Sequence, residues 1–222
     1  MKNKNILNIY HSLSKQYGHQ HWWPAETPFE MMVGAILTQS ATWQNVEKAV
    51  INLKTAGVLY PEKLRVLSVD ELVALIRPSG YYNAKSKKIK ALVAWLYDSC
   101  GDDIPRLSYN PVSELRKSLL TVHGIGYETA DSILLYAVGK PVFVIDAYTR
   151  RILTRIGITP VKDSYSEWQK LLLDNLPQDV AIFNEYHALL VHHAKEHCRT
   201  KPFCTGCCLF DICAYGEANY DQ

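Results

Sequence analysis

The sequence predicts an all-α protein built as two helical lobes. Apolar residues recur at helical spacing through most of the chain, capping signals and breakers stand between these segments, and strand-like alternation is sparse. At 222 residues the chain is long enough for two small domains with filled cores. We expect residues 25–132 to form one helical bundle, and residues 1–24 together with 133–222 to form the other lobe.

Capping signals mark the helix starts in the first half of the chain. The segment "TPFE", residues 27–30, supplies an N-cap, a proline at the first helical position and a capping-box glutamate. Ser68 and Glu71 repeat the box, and "PSG" at 78–80 ends that helix. The next helix is expected over Ala84–Tyr97, with its apolar residues inward and its lysines outward.

The helical pattern continues in the second half. Asn110-Pro111 opens a helix that runs to about Leu120. The strand candidate Val142–Ile145 is so short that we expect an extended linker. Further helices are expected near Tyr127–Val138, Asp146–Ile156, Ser166–Leu176 and Phe183–Cys198.

Composition is that of an ordinary globular protein, with 48% apolar and 21% charged residues. The longest apolar runs are far too short to cross a bilayer, and the N-terminus does not resemble an export signal, so we expect a cytoplasmic protein without a membrane partner. A net charge of +2 argues only weakly for a polyanionic partner. From charge alone, we interpret the basic clusters at 85–90 and 150–155 as solvated helix faces.

Five of the six cysteines fall between Cys198 and Cys213. So tight a cluster, without an export signal, indicates metal ligation rather than a disulfide framework. Four of the five have the spacing C-x5-C-x2-C-x5-C, which lets one loop surround a compact centre; they are Cys198, Cys204, Cys207 and Cys213. Four thiolates also suit structural zinc, and Cys208 remains as a spare thiol.

The segment "HGIGYETAD", residues 123–131, predicts a sharp reversal between two helices. Glycine suits this turn because it can adopt positive φ, and because a missing side chain lets a phosphate approach the amides at the start of the next helix. Gly124 and Gly126 would serve these purposes, and Ile125 would anchor the turn in the core.

This pattern resembles the helix-hairpin-helix element of the endonuclease III superfamily of DNA glycosylases. The resemblance covers nearly the whole chain, because "VFVIDAYTRRI" places Asp146 where the family has an aspartate at a helix start, and the C-terminal cysteines also match in position. It implies that the protein is a nucleoid-associated monomer. Its partner would be damaged double-stranded DNA, which would lie across the groove between the lobes. It also implies a [4Fe-4S] cluster, although the first spacing of this chain, x5, is one residue shorter than in the family pattern C-x6-C-x2-C-x5-C.

The resemblance implies that Asp146 is the carboxylate that acts on the glycosidic bond. It would stabilise the oxocarbenium-like sugar or activate water, and capping its own helix would keep it ionised. In the lyase-competent branch a lysine two residues after the second hairpin glycine forms a Schiff base. Glu128 occupies that position and cannot form an imine, so we predict a monofunctional glycosylase.

The segments "HWWPAETPFE" and "ILTQSATWQNV" resemble the 3-methyladenine glycosylase branch. In that branch, aromatic residues that match Trp22 and Trp43 sandwich the extruded base, which is cationic and suited to cation–π stacking. The branch also implies supporting roles for Trp23, Pro24 and Lys195. Hairpin amides would hold phosphates, while Gln39, Ser40 and the turn at 79–82 are candidates to fill the space left by the base.

Two alternatives stay open at this point. One is an endonuclease III-like or mismatch/adenine glycosylase, with or without lyase activity. The other is a non-catalytic protein that binds lesions or abasic sites, which the presence of Asp146 disfavours.

Overall fold

The computed structural model describes residues 5–218, and within them the regular structure is helical, without a strand. This confirms the all-α prediction. Short 3-10 segments lie at Arg77–Ser79, Ile104–Tyr109 and Phe210–Ile212. The α-helices are α1 (Ile6–Tyr17), α2 (Pro28–Leu37), α3 (Trp43–Thr55), α4 (Pro61–Val66), α5 (Val69–Ile76), α6 (Tyr82–Cys100), α7 (Val112–Leu119), α8 (Tyr127–Ser132), α9 (Ala147–Ile156), α10 (Tyr165–Leu173), α11 (Val180–Glu196) and α12 (Ala214–Ala218).

Two predicted capping boxes begin helices as expected, but only one is reciprocal. Ser68 accepts the N–H of Glu71, whose carboxylate accepts the N–H of Ser68 in return. At α2, Thr27 Oγ1 accepts the N–H of Glu30 at 3.1 Å. The buried carboxylate of Glu30 instead accepts the N–H of Glu26 and pairs with Lys54 at 2.9 Å.

The chain divides into two compact units, one over Pro24–Lys140 and the other from the segments on either side of it. The division falls at Lys140–Pro141 and not at the predicted 132/133, because the π-helical turn Ile133–Ala137 continues α8 and packs on α2. Residues 1–4 and 219–222 of the predicted second lobe lie outside the described residues. No helix within 5–218 combines the length and the apolar character needed to cross a membrane.

In the unit formed by the two flanking segments, α11 packs against both α1 and α9. Val142–Ile145 has no regular structure, as predicted, and its four side chains are buried beneath these helices. Gln169 of α10 donates to the carbonyl of Phe143 at 2.7 Å, which satisfies a buried backbone group of the linker. The buried linker leads directly into α9.

The prediction that the lysines of α6 point outward is wrong for Lys85 and incomplete for Lys90. Lys85 is 1% exposed and donates to the carbonyls of Leu37 (2.8 Å) and Ser79 (2.7 Å). Lys90 is half-buried and donates to carbonyls at the C-terminal end of α4. These ammonium groups donate to backbone carbonyls at the C-terminal ends of helical segments, which would otherwise have no hydrogen-bond donor.

Replacement of Lys85 tests this role. Burial lowers the pKa of Lys85 to about 8 from its usual 10.5, and Lys88 adds to the effect. Between pH 8 and pH 10.5 the amine of Lys85 is protonated in the unfolded chain but deprotonated in the folded protein. The free energy of unfolding therefore increases with pH over this range. We expect Lys85→Met to lower the free energy of unfolding by about 1–3 kcal/mol at pH 7, because two carbonyls lose their donor. In urea titrations the deficit should grow with pH; a deficit that shrinks would contradict this account.

Candidate active site and DNA-binding elements

Asp146 is the N-cap of α9, at the point where the buried linker ends. Its Oδ1 accepts the N–H of Thr149 at 2.7 Å, which fixes the carboxylate over the first turn of the helix. The residue is 8% exposed, so the carboxylate is nearly removed from bulk water.

His187 of α11 faces the same carboxylate, with its Nε2 3.5 Å from Asp146 Oδ2. Burial by itself raises the pKa of Asp146, but His187 and the hydrogen bonds from Thr149 outweigh it and hold the pKa below its usual value of 3.8. The carboxylate is therefore ionised at neutral pH. Sequence reasoning missed His187, because no local spacing connects it with Asp146.

The unit that contains Asp146 also holds Trp22, Trp23 and Lys195. The two tryptophans follow α1, are half-buried, and have ring centroids 5.1 Å apart at an interplanar angle of 59°. Lys195 is exposed near the end of α11. Pro24, also exposed, is the first residue of the other unit.

The hairpin between α7 and α8 has the predicted turn, but its two glycines differ. Gly124 has φ +81°, and a Cβ there would lie 2.4 Å from Cγ of Lys88. Gly126 has φ −97° and open space around it, so positive φ is required at Gly124 and not at Gly126. Ile125 is buried and anchors the turn, as predicted.

Gln39 joins the segment after α2 to this hairpin. Its Nε2 donates to the carbonyl of Gly124 (3.2 Å) and to Thr129 Oγ1 (3.0 Å), while its Oε1 accepts from Lys88 Nζ at 2.5 Å. The stem of Lys88 thus lies against Gly124 and its ammonium group orients the carboxamide. Lys88 of α6 thereby supports the hairpin, a role that its place in the basic cluster at 85–90 did not indicate.

The remaining predicted residues of this unit lie near these elements. Ser40 is exposed with φ +53°, directly after Gln39, and Trp43 is half-buried as the first residue of α3. Glu128 is exposed in the first turn of α8. Tyr81, in the predicted turn before α6, is 73% exposed with φ +46°.

The predicted cysteine ligands line one pocket between the end of α11, α9 and the C-terminal segment; they are Cys198, Cys204, Cys207 and Cys213. Cys208 is not among the lining residues. Two of the sulfurs have donors that suit thiolates: Arg155 Nη1 is 3.3 Å from Sγ of Cys198, and the N–H of Gly216 is 3.4 Å from Sγ of Cys213.

A histidine also reaches this pocket. His193 Nε2 lies 3.7 Å from Cys207 Sγ, and its Nδ1 lies 2.9 Å from the hydroxyl of Tyr17. A tyrosine that donates to Nδ1 leaves Nε2 as the donor toward sulfur. The basic cluster at 150–155 is used here as well, because Arg151 and Arg155 donate to backbone carbonyls of the cysteine loop.

Within residues 5–218, no group of three Cys, His, Asp or Glu side chains is arranged to hold a single metal ion. Four cysteine thiolates are the donor set of a [4Fe-4S] cluster and also of a structural zinc ion.

Comparison with known proteins identifies the family. The model of the HhH-GPD superfamily of base excision DNA repair proteins matches residues 33–178, a range that includes both the hairpin and Asp146. This chain belongs to the HhH-GPD superfamily. The superfamily assignment confirms the resemblance stated above. The protein is therefore a DNA glycosylase of base excision repair, and its partner is DNA.

Relatives and solved structures agree with that placement. The HhH-GPD protein described here is 45% identical over 212 residues to a candidate DNA repair glycosylase of Methanocaldococcus jannaschii, covering 94% of this chain and 95% of the relative. It is 28% identical over 193 residues to endonuclease III of Bacillus subtilis, covering 86% and 82%.

Among solved structures, the 3-methyladenine DNA glycosylase of Helicobacter pylori bound to 1,N6-ethenoadenine has a TM-score of 0.76 at 26% identity, covering 85% of this chain and 96% of that one. A non-covalent endonuclease III–DNA complex has a TM-score of 0.82 at 24% identity, covering 98% and 97%, and shows the shared fold.

The two hairpin glycines provide a matched pair for mutation. Gly124→Ala must strain a positive φ and displace Lys88, so we expect a loss of about 1–3 kcal/mol in the free energy of unfolding. Gly126→Ala meets neither obstacle and should stay within about 0.5 kcal/mol of the unmodified protein. Urea unfolding followed by circular dichroism measures both. Equal losses in the two variants would show that the positive φ and the close Lys88 stem do not govern this turn.

Proposed function

We propose that this DNA glycosylase excises alkylated purines by direct hydrolysis, with Asp146 as the catalytic carboxylate. The observation that carries the proposal is a buried carboxylate that nevertheless stays ionised, because Thr149 and His187 compensate its burial. A fixed negative charge in a site of low polarity stabilises a developing oxocarbenium ion more strongly than the same charge in water.

The reaction balances without an added acid. The C1'–N bond breaks, and its electron pair neutralises the positive charge of the alkylated base, which leaves as a neutral purine. Water then forms the new C1'–O bond and gives its proton to Asp146 or to solvent. A base that carries its own positive charge needs little leaving-group catalysis, so the protein must supply charge stabilisation and recognition.

Recognition of such a base is assigned to the tryptophans. Trp22 and Trp23, in the same unit as Asp146, offer indole faces to a cationic purine, and Trp43 is a further candidate in the other unit. Pro24 and Lys195 keep supporting roles in this proposal. The similarity to the Helicobacter pylori 3-methyladenine DNA glycosylase, at 26% identity over 85% of this chain, supports this substrate class.

Strand binding is assigned to the hairpin. Gly126 caps α8 without a side-chain hydrogen bond and has open space around it, so a phosphate would approach the hairpin amides of Gly124, Ile125 and Gly126 from the side of Gly126. Ser40 and Tyr81 are exposed and suited to fill the space left by an extruded nucleotide. Gln39 reaches that space only after it exchanges its hairpin contacts for contacts with DNA.

A [4Fe-4S] cluster is assigned to the cysteine pocket, with Cys198, Cys204, Cys207 and Cys213 as ligands. The cluster, when bound, supplies a rigid crosslink between the end of α11 and the C-terminal segment. The donors from Arg155, His193 and Gly216 would offset the negative charge of the thiolates.

Asp146→Asn tests the function directly. We expect single-turnover excision of 7-methylguanine or 3-methyladenine to fall at least about 1000-fold, since a removed electrostatic stabiliser costs about this much, while affinity for the same DNA stays within threefold. A panel with hypoxanthine, ethenoadenine, oxidised pyrimidines and mismatches defines the substrate. Efficient release of an oxidised pyrimidine, with no release of alkylated purine, would overturn the proposal.

The lyase prediction rests on Glu128. We expect borohydride to trap no covalent adduct between the unmodified protein and DNA with an abasic site, because the residue at the nucleophile position has no amine. Glu128→Lys places an amine there and should yield a trapped adduct. Glu167→Lys, a first-turn glutamate of α10 in the other unit, is the control for added positive charge. Trapping by the unmodified protein would contradict the prediction.

Iron analysis tests the cysteine assignment. Protein purified without air is expected to be brown and to contain about four iron and four sulfide per chain. Cys213→Ser should lose most of this content, whereas Cys208→Ser should retain it, because Cys208 does not line the pocket. Colourless protein with one zinc ion, or equal losses in the two variants, would exclude the assignment.

A further inference from the structure

Glu185 of α11 is a buried carboxylate that faces the segment between α1 and Trp22. Its side chain is 9% exposed. Oε1 accepts the backbone N–H of Gln20 at 2.7 Å, and Oε2 lies 2.5 Å from Nδ1 of His19. One side chain therefore holds two consecutive residues of the segment that leads to the tryptophans.

The rest of this segment is ordered by local contacts. The side chain of Gln20 donates to the carbonyls of Tyr17 (3.2 Å) and Gly18 (3.1 Å), which closes the end of α1. His19 and His21 meet edge-to-face with ring centroids 4.4 Å apart, and His21 has φ +51°. The backbone just before Trp22 is thus folded tightly onto itself, and Glu185 ties this folded segment to α11.

The same helix supports the proposed catalytic carboxylate. His187, two residues after Glu185, contacts Asp146. The helix backbone between these residues is rigid, so α11 fixes the segment before Trp22 and the carboxylate of Asp146 in one frame. Reaction rates depend steeply on such geometry, and a displacement of about 1 Å can cost about 100-fold.

We propose that Glu185 is a positioning residue for the aromatic face that recognises the cationic base. A carboxylate this deeply buried is costly unless its surroundings compensate it; Oε1 accepts the N–H of Gln20, and Oε2 lies against Nδ1 of His19. The interaction therefore favours the conformation of the segment that presents Trp22 and Trp23 at a set position relative to Asp146. This inference rests on the proposed function, because it assigns a role in base recognition.

Three variants separate positioning from general stability. Glu185→Ala removes both contacts, while Glu185→Gln keeps an acceptor of the same shape for the N–H of Gln20 and replaces the carboxylate oxygen that faces His19 with an uncharged amide group. Asp174→Ala is the control, since it removes an exposed carboxylate that pairs with Lys170 in the same unit.

The first readout is the ¹⁵N–¹H spectrum of the indole groups, assigned with Trp22→Phe and Trp23→Phe. We expect the Trp22 and Trp23 signals of Glu185→Ala to shift or broaden while the Trp168 signal keeps its position, and we expect Glu185→Gln to restore them in part. Asp174→Ala should leave all of them unchanged. Unshifted Trp22 and Trp23 signals in Glu185→Ala would overturn the proposal. If Glu185→Ala does not fold, unshifted signals in Glu185→Gln would overturn it.

The second readout is single-turnover excision of 7-methylguanine. Glu185→Ala should lower the rate at saturating protein about 100-fold, with binding to an abasic-site analogue unchanged because that ligand has no base to stack. Glu185→Gln should recover part of the loss. An unchanged rate would overturn the positioning role. If the unmodified protein releases no alkylated purine, the proposed function fails, while the indole spectra still decide whether Glu185 fixes the segment.

Discussion

The structure around the proposed active site depends on a negative charge kept in a buried position. Transfer of a carboxylate out of water costs several kcal/mol, and a free aspartate in such a place would take up a proton. Asp146 stays ionised because it is the N-cap of α9. The amide of Thr149 and the positive end of the helix face one of its oxygens, and His187 faces the other. The extended linker before it is buried, which brings the aspartate to the helix start without an exposed loop.

Each unit uses one helix or turn to hold several functional groups together. In the unit with Asp146, α11 presents Glu185 toward the tryptophan segment, His187 toward Asp146 and His193 toward Cys207. In the other unit, residues of neighbouring segments stabilise the hairpin. Gln39 donates to the carbonyl of Gly124 and to Thr129, and Lys88 donates to Gln39. Functional side chains held by such secondary contacts lose little entropy when they bind a substrate.

Features encoded by neighbours in sequence were predictable. Thr27, Ser68 and Asp146 cap the helices that follow them, and the hairpin turns at Gly124 around a buried Ile125. These are local preferences of backbone and side chain, and a single stretch of sequence contains all the relevant information.

Contacts between distant segments were not predictable. The outward orientation expected for Lys85 failed because its ammonium group satisfies carbonyls of two other segments, and no local pattern specifies this. The contact of His187 with Asp146 and that of Glu185 with Gln20 also join separate helices and loops. The Gly-x-Gly pattern suggested a positive φ at both Gly124 and Gly126, but only Gly124 has one, and Gly126 has an extended backbone.

The ionisation of Asp146 can be measured most directly by titrating its carboxyl carbon in protein labelled with ¹³C-aspartate, with Asp146→Asn to assign the signal. The account predicts that this signal stays that of a carboxylate down to a pH below 3.8, the usual pKa of aspartate. A midpoint clearly above that value would mean that burial outweighs Thr149 and His187, and it would remove the physical basis for catalysis by Asp146.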